Sequence, residues 1–124
     1  LFNWMEKNNA DYTNTFCNLM DTNSDEIYKN NDFISWKNDW KKRSELNNST
    51  REKQIKLMRE NNPIVIPRNH KVEEALSEAD KGNLKNFKKL LFILSKPYEN
   101  QPDIKEYQLP MPKSYKNYQT FCGT

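Results

Sequence analysis

Apolar residues recur along most of the chain at the three- and four-residue spacing of an amphipathic α-helix, and the alternation that is typical of a strand is nearly absent. Phe33, Trp36 and Trp40 fall on one face of such a helix. Lys37 and Asp39 are expected to point outward from it. The pattern predicts five helices near residues 10–20, 32–46, 49–61, 69–81 and 84–95, and an earlier one that carries Leu1, Trp4 and Met5. We therefore expect an all-α fold.

Capping and breaking residues set the ends of these helices. Ser49 or Thr50 can cap the third predicted helix. Residues 63–67 form a short apolar stretch with a proline at each end. Because proline has a fixed φ and no backbone N–H donor, we expect this stretch to be extended. Gly82 stands where the left-handed residue after a helix is needed, and Asn83 can cap the helix that follows. The last two predicted helices should therefore form a tight hairpin.

The composition changes after Pro97, where prolines and tyrosines recur to the end of the chain. This change predicts a small helical module over residues 1–96 and an irregular Pro/Tyr-rich tail over residues 97–124 that packs on the fold. The chain opens without an initiator Met or a basic region before an apolar core, which is typical of a fragment and not of a signal peptide. In a fragment, we expect apolar surface around Phe2 and Trp4 to be exposed.

Composition sets limits on size and class. The chain has 124 residues, 35% of them hydrophobic, and its three Trp, six Tyr and six Phe compensate for a low aliphatic content. That is one small domain at most. The longest clean apolar run, Leu90 to Leu94, is far shorter than the roughly 18–20 residues that cross a bilayer, which excludes a membrane span.

Residue counts also exclude several kinds of site. With a single His and two distant cysteines, Cys17 and Cys122, the chain offers no zinc-binding spacing. Its only glycines, Gly82 and Gly123, cannot form a Gly-rich phosphate loop. No metal site is therefore predicted. Without an export signal, two cysteines are more often thiols than a disulfide, and the burial of Cys17 is left open.

The densest polar group is Pro67-Arg68-Asn69-His70, between the extended stretch and a predicted helix start. Free N–H groups at such a start can receive an anion. The alternative, which we favour, is a structural joint. In it Asn69 caps the helix, Arg68 anchors neighbouring chain through its guanidinium or pairs with an acid, and His70 lies in the first turn.

A basic strip is the remaining candidate surface. It comprises Lys37, Lys41, Lys42, Arg43, Arg51, Lys53, Lys56 and Arg59. Trp36 and Trp40 lie beside it and could suggest nucleic-acid binding, but they share a face with Phe33 and are interpreted as core. The net charge is only +3 and its signs are interleaved. A solvated face is the favoured interpretation, and nucleic acid is an unlikely partner.

Several motifs resemble the selenoprotein O family, the YdiU-like protein adenylyltransferases. They are DYTNTF at residues 11–16, NPIVIPRNHKVEEAL at residues 62–76, Gly82-Asn83, Pro97-Tyr98 and YQTFCGT at residues 118–124. The match runs in order from about residue 10 to the end. It identifies the chain as the C-terminal part of such a protein. Cys17 departs from the basic residue expected at its position.

The resemblance implies a larger kinase-like protein that binds ATP with Mg²⁺ and transfers AMP to hydroxyl groups of other proteins. The family's nucleotide-binding and catalytic motifs precede this stretch, so the fragment should be inactive alone and should have the missing kinase-like N-terminal portion as its partner. The terminal cysteine of the family is linked to redox control, a role that carries over only to Cys122. The implied location is the bacterial cytoplasm. A helical interaction module without a catalytic parent is the alternative of a different class.

Overall fold

In the computed structural model, which describes residues 1–21, 23–47 and 49–112, the regular structure is entirely helical. The helices are α1 (Phe2–Asn8), α2 (Tyr12–Leu19), α3 (Asn31–Glu45), α4 (Arg51–Asn61), α5 (Asn69–Asp80), α6 (Lys85–Leu94) and α7 (Ile104–Gln108), with a 3-10 helix, Glu26–Lys29, between α2 and α3. The all-α prediction is confirmed for these residues. The 3-10 helix and α7 were not predicted.

The chain divides into two compact units, Leu1–Ile64 and the residues from Val65 onward. This boundary falls inside the range 1–96 that the sequence assigns to one module. A compact unit is not by itself a domain that folds alone. The division into residues 1–96 and 97–124 therefore stays a prediction.

The first unit is built around aromatic rings. Its buried core consists of Trp4, Met5, Leu19, Tyr28 and Phe33. Phe33 is 1% exposed, and its ring centroid lies 4.6 Å from that of Trp4 and 5.2 Å from that of Tyr28. Tilted ring pairs at these distances stabilise a core beyond the area they bury.

The Asn30 side chain connects α1 to the start of α3. Its Oδ1 accepts a hydrogen bond from Trp4 Nε1 at 3.1 Å. The same oxygen caps α3 by accepting from the backbone amides of Asp32 and Phe33 at 3.0 and 3.3 Å. One side chain thus satisfies a buried indole and fixes the helix that carries Phe33.

These contacts correct the expectation of exposed surface around Phe2 and Trp4. Trp4 is only 9% exposed, because it packs on Phe33 and Tyr28 within its own unit. Phe2 is 63% exposed, as expected, and stacks on Tyr12 with the ring centroids 6.3 Å apart. Trp36 and Trp40 pack partly buried against the core, which confirms their interpretation as core residues. Thr50 caps α4 by accepting from Lys53 N at 3.3 Å.

The second unit contains the predicted hairpin of α5 and α6. Gly82 has a positive φ of 85° and donates from its amide to Ala79 O at 2.8 Å, while the Asn83 amide donates to Glu78 O at 2.9 Å. These two bonds form a Schellman motif, so the prediction for Gly82 is confirmed. Asn83 Oδ1 accepts from Lys85 N at 3.2 Å, although the N-cap position itself is Leu84.

The predicted irregular tail is wrong for residues 104–108, which form α7. Pro102 and Pro110 leave seven residues between them, enough for a short helix that the recurrence of proline concealed. Ile104 and Tyr107 are 4% and 7% exposed, so α7 is packed within the second unit.

Phe33→Ala is expected to lower the free energy of unfolding of the first unit by about 3–5 kcal/mol, because it removes a buried ring and leaves a cavity. Ile34 is 43% exposed, so Ile34→Ala is the matched control and should cost less than about 1 kcal/mol. Urea denaturation followed by tryptophan fluorescence measures this, since all three Trp belong to the first unit. Equal urea midpoints for the two variants would contradict the assignment of Phe33 to the core of the first unit.

Candidate functional site

The segment Pro67-Arg68-Asn69-His70 leads into α5, as predicted, but its residues have different roles from those expected. The helix begins at Asn69, and its N-cap position is Arg68, with φ −94° and ψ 125° and no side-chain capping bond. The prediction that Asn69 caps the helix is therefore wrong. Asn69 is one residue too late in the chain, already inside the first turn, for its side chain to take the cap position.

Arg68 anchors α7. Its Nη2 donates to the backbone carbonyl of Gln108, the last residue of that helix, at 3.2 Å. The last carbonyls of a helix have no partner within it, so a guanidinium there supplies a missing donor. Arg68 thus contacts a part of the same chain that lies 40 positions further along.

His70 is buried in the first turn of α5, with 3% of its surface exposed. Burial disfavours its charged form and lowers the pKa of His70, and the cations Lys71 and Arg68 act in the same direction. Glu74 opposes the shift only in part. The surroundings of His70 thus favour the neutral imidazole, a feature that its sequence position did not reveal.

Beside this joint, α5, α6 and α7 enclose an open cleft of about 200 Å³. Lys71 lines this cleft, and its Nζ lies 3.0 Å from Glu74 Oε2 and 3.1 Å from Glu106 Oε1. Lys89 approaches Glu106 from α6, and its Nζ lies 5.7 Å from the ring centroid of Tyr107. Ion pairs along the cleft therefore connect α5, α6 and α7.

These contacts determine the protonation states of Lys71 and Tyr107 in the cleft. Burial of Lys71 disfavours its charge, but hydrogen bonds to Glu74 and Glu106 outweigh this effect and raise the pKa of Lys71. Burial raises the pKa of Tyr107 as well. Lys71 stays protonated and Tyr107 stays neutral near pH 7, so neither is suited to act as a general base. The arrangement holds α7 in place through both Arg68 and Lys71.

A second polar cluster lies in the first unit and was not predicted. Lys37 Nζ donates to the backbone and side-chain oxygens of Asn18, both at 2.9 Å, and to Asp21 Oδ1 at 3.2 Å. Its side chain is only 16% exposed, so the expectation that Lys37 points outward is wrong. Lys37 stands four residues after Phe33, at the border of the buried face, which is the one signal the sequence carried.

Arg51 completes this cluster from α4. Its Nη2 donates to Leu19 O at 3.2 Å and to Asp21 Oδ2 at 3.3 Å, and its guanidinium carbon lies 5.1 Å from the centroid of the Trp40 ring. Burial disfavours the charge of Asp21, but Lys37 and Arg51 outweigh it and lower the pKa of this carboxyl. Two members of the basic strip are thus used to hold α2, α3 and α4 together.

The chain has two cysteines, Cys17 and Cys122. Cys17 is completely buried in α2. A buried thiol is inert, so Cys17 is a poor candidate for redox chemistry. The redox candidate Cys122 lies outside the described residues.

No group of three or more His, Cys, Asp and Glu side chains in the described parts of the chain could hold a metal ion. None of the helices that the structure describes is long and apolar enough to cross a membrane.

His70 predicts a pH dependence of stability. Its pKa is lower in the folded state than the ordinary 6.5, so the unfolded state binds more protons and stability falls as the pH drops below 6.5. The free energy of unfolding, measured by urea denaturation and far-UV circular dichroism, should be lower at about pH 5.5 than at about pH 7.5. His70→Gln should remove most of that difference, because the chain has a single His. The same difference in the variant would show that other groups cause it.

Comparison with known proteins gives matches along the whole chain. It is 50% identical over 127 aligned positions to the protein nucleotidyltransferase YdiU of Pelagibacter ubique, covering 100% of this chain and 26% of that protein. It is 45% and 43% identical to the proteins of the same name from Bacillus cytotoxicus and Syntrophotalea carbinolica, again covering 100% of this chain and 26% of each relative. No family model matches the chain, and no solved structure matches it.

The chain spans about a quarter of the length of these curated relatives, so it corresponds to a segment of a larger protein. That finding does not favour a helical module without a larger parent. Identity at this level along the whole chain is far above what a shared helical pattern alone produces. The chain therefore belongs to the YdiU-like family that its motifs predicted.

Proposed function

We propose that the parent polypeptide is a protein adenylyltransferase, which uses ATP and Mg²⁺ to transfer AMP to Ser, Thr or Tyr hydroxyl groups of other proteins. The observation that carries this proposal is the 50% identity, over the whole chain, to a relative named as a protein nucleotidyltransferase. The identity of the nucleotide and of the acceptor comes from the family resemblance.

We further propose that this segment is non-catalytic. Its clustered carboxylates are paired with cations: Asp21 with Lys37 and Arg51, and Glu106 with Lys71 and Lys89. A Mg²⁺ ion needs carboxylate oxygens that are open to it. The described residues therefore do not fit a magnesium–nucleotide site, and the residues that bind ATP are expected in the remainder of the protein.

The partner of the segment is then the kinase-like portion of the same polypeptide. In this arrangement the second unit contributes a rigid helical part, because α7 is fixed to α5 by Arg68 and Lys71. The acceptor proteins meet the parent at a site that this segment does not contain. The bacterial relatives agree with a bacterial protein, and the cytoplasmic location stays a prediction.

Full-length protein incubated with Mg²⁺, a protein acceptor and α-labelled ATP should transfer label, and EDTA should abolish the transfer. Labelled GTP, CTP and UTP are the matched controls. Preference for another nucleotide would contradict AMP as the transferred group but leave nucleotidyl transfer intact. No transfer from any of the four would contradict both.

Glu106→Gln in the same full-length protein tests the non-catalytic role. The transfer rate should stay within about threefold of the unsubstituted protein, since loss of a general acid or base would cost about a hundredfold or more. The melting temperature is measured alongside. A hundredfold loss at an unchanged melting temperature would make Glu106 part of the catalytic site.

Cys122 is proposed as a redox-responsive thiol that pairs with a cysteine of the remaining polypeptide. Forming that disulfide takes two electrons and two protons from the two thiols and needs an external oxidant such as oxidised glutathione. Peptide mapping of oxidised full-length protein should find the Cys122 disulfide, and reduction should change the rate of AMP transfer. If Cys122→Ser responds to reductant as the unsubstituted protein does, the redox role is wrong.

A further inference from the structure

Helix α6 carries apolar side chains on two opposite sides. Leu90 and Ile93 are 6% and 2% exposed and face the interior of the second unit. At 100° per residue, Leu84, Leu91 and Phe92 fall on the other side of the helix axis. They are 48%, 54% and 61% exposed. We call these three residues the outer face of α6.

The partner helix in the hairpin does not share this property. On α5, the side opposite the buried Ala75 carries Glu73, Ser77 and Asp80, all exposed. That side of α5 is polar and can remain in contact with water. The outer face of α6 instead presents three half-exposed apolar side chains, where the water-facing side of a surface helix is ordinarily charged or polar.

Lys88 lies within the outer face, between Leu84 and Leu91 along the helix. Among the residues that the structure describes, it takes part in no ion pair. Covering the outer face would bury part of this charge, and burying a charge without a partner is costly. A surface that fits α6 is therefore apolar and places a carboxylate opposite Lys88.

We propose that the outer face of α6 docks on an apolar, acid-bearing surface of the remaining three quarters of the parent polypeptide. The length of chain outside this segment carries that choice, since the relatives extend far beyond the aligned quarter. A tethered partner acts at millimolar effective concentration, so a small patch is sufficient. A second copy of the chain would need roughly 800 Å² from each partner, more than three half-exposed side chains provide.

The proposal requires that the segment belong to a larger protein, and it does not require that protein to transfer AMP. Its test therefore measures accessibility and not activity. Leu91→Cys and the control Leu57→Cys are made in the full-length protein. Leu57 is a mid-helix leucine of α4 that is 63% exposed, against 54% for Leu91. Each thiol is labelled with a maleimide under native conditions and in urea, and peptide mapping separates its label from that of the native cysteines.

Docking predicts that Cys at position 91 reacts at least about tenfold more slowly in the native protein than Cys at position 57, after each is normalised to its rate in urea. Equal normalised rates would overturn the proposal. Protection at position 91 that disappears on dilution would replace the parent polypeptide with a second copy as the occupant, and so would also overturn it.

A measurement without substitution covers the case in which Leu91→Cys fails to fold. Hydroxyl-radical footprinting of the full-length protein should find Phe92 protected relative to the protein in urea, well beyond the protection that its 61% exposure in this segment explains. Phe92 oxidised at the rate expected for a half-exposed ring would contradict docking. Because neither readout involves nucleotide, failure of AMP transfer and failure of docking are distinguishable.

Discussion

The contact between the Trp4 and Phe33 rings, fixed by the hydrogen bond from Trp4 to Asn30, is the interaction on which the first unit depends. Its helices have 7 to 15 residues, lengths at which an isolated helix is marginal in water. With few aliphatic side chains available, the unit obtains its buried area from aromatic rings that meet across the helices. Asn30 makes this arrangement specific, because one oxygen both caps α3 and satisfies the indole that packs on its first turn.

In the second unit, charged side chains stabilise a helix that is too short to form alone. Helix α7 has five residues and cannot persist alone. It is retained by two buried apolar side chains and by donors from the start of α5: Arg68 at its last carbonyl and Lys71 at Glu106. The desolvation of Lys71 is offset only because two carboxylates reach it. Removing one of them would leave a half-buried cation with a single partner.

The elements that the sequence predicted are those whose signal is local. Helical spacing predicted α1 to α6, and Gly82 predicted the hairpin, since a left-handed residue after a helix requires little more than its own backbone freedom. The errors concern contacts between distant residues. Trp4 was expected on the surface of a fragment, but Tyr28 and Phe33, far along the chain, bury it within its own unit. Lys37 was expected outside because nothing near it in sequence indicates the Asn18 oxygens that it reaches. For Asn69, the error is a shift of one position, which is enough to separate a cap from a first-turn residue.

The motif that carries most of the family resemblance, residues 62–76, contains the residues that build the joint and the cleft. Arg68 holds the end of α7, His70 fills the first turn of α5, and Lys71 binds Glu106. The hydrogen bonds of Arg68 and Lys71 account for the chemical type of these two side chains. The contacts of Arg68 and Lys71 hold α7 against the start of α5. A family motif can therefore coincide with the contacts that hold short helices in place, because a helix of five residues such as α7 depends on donors from outside itself.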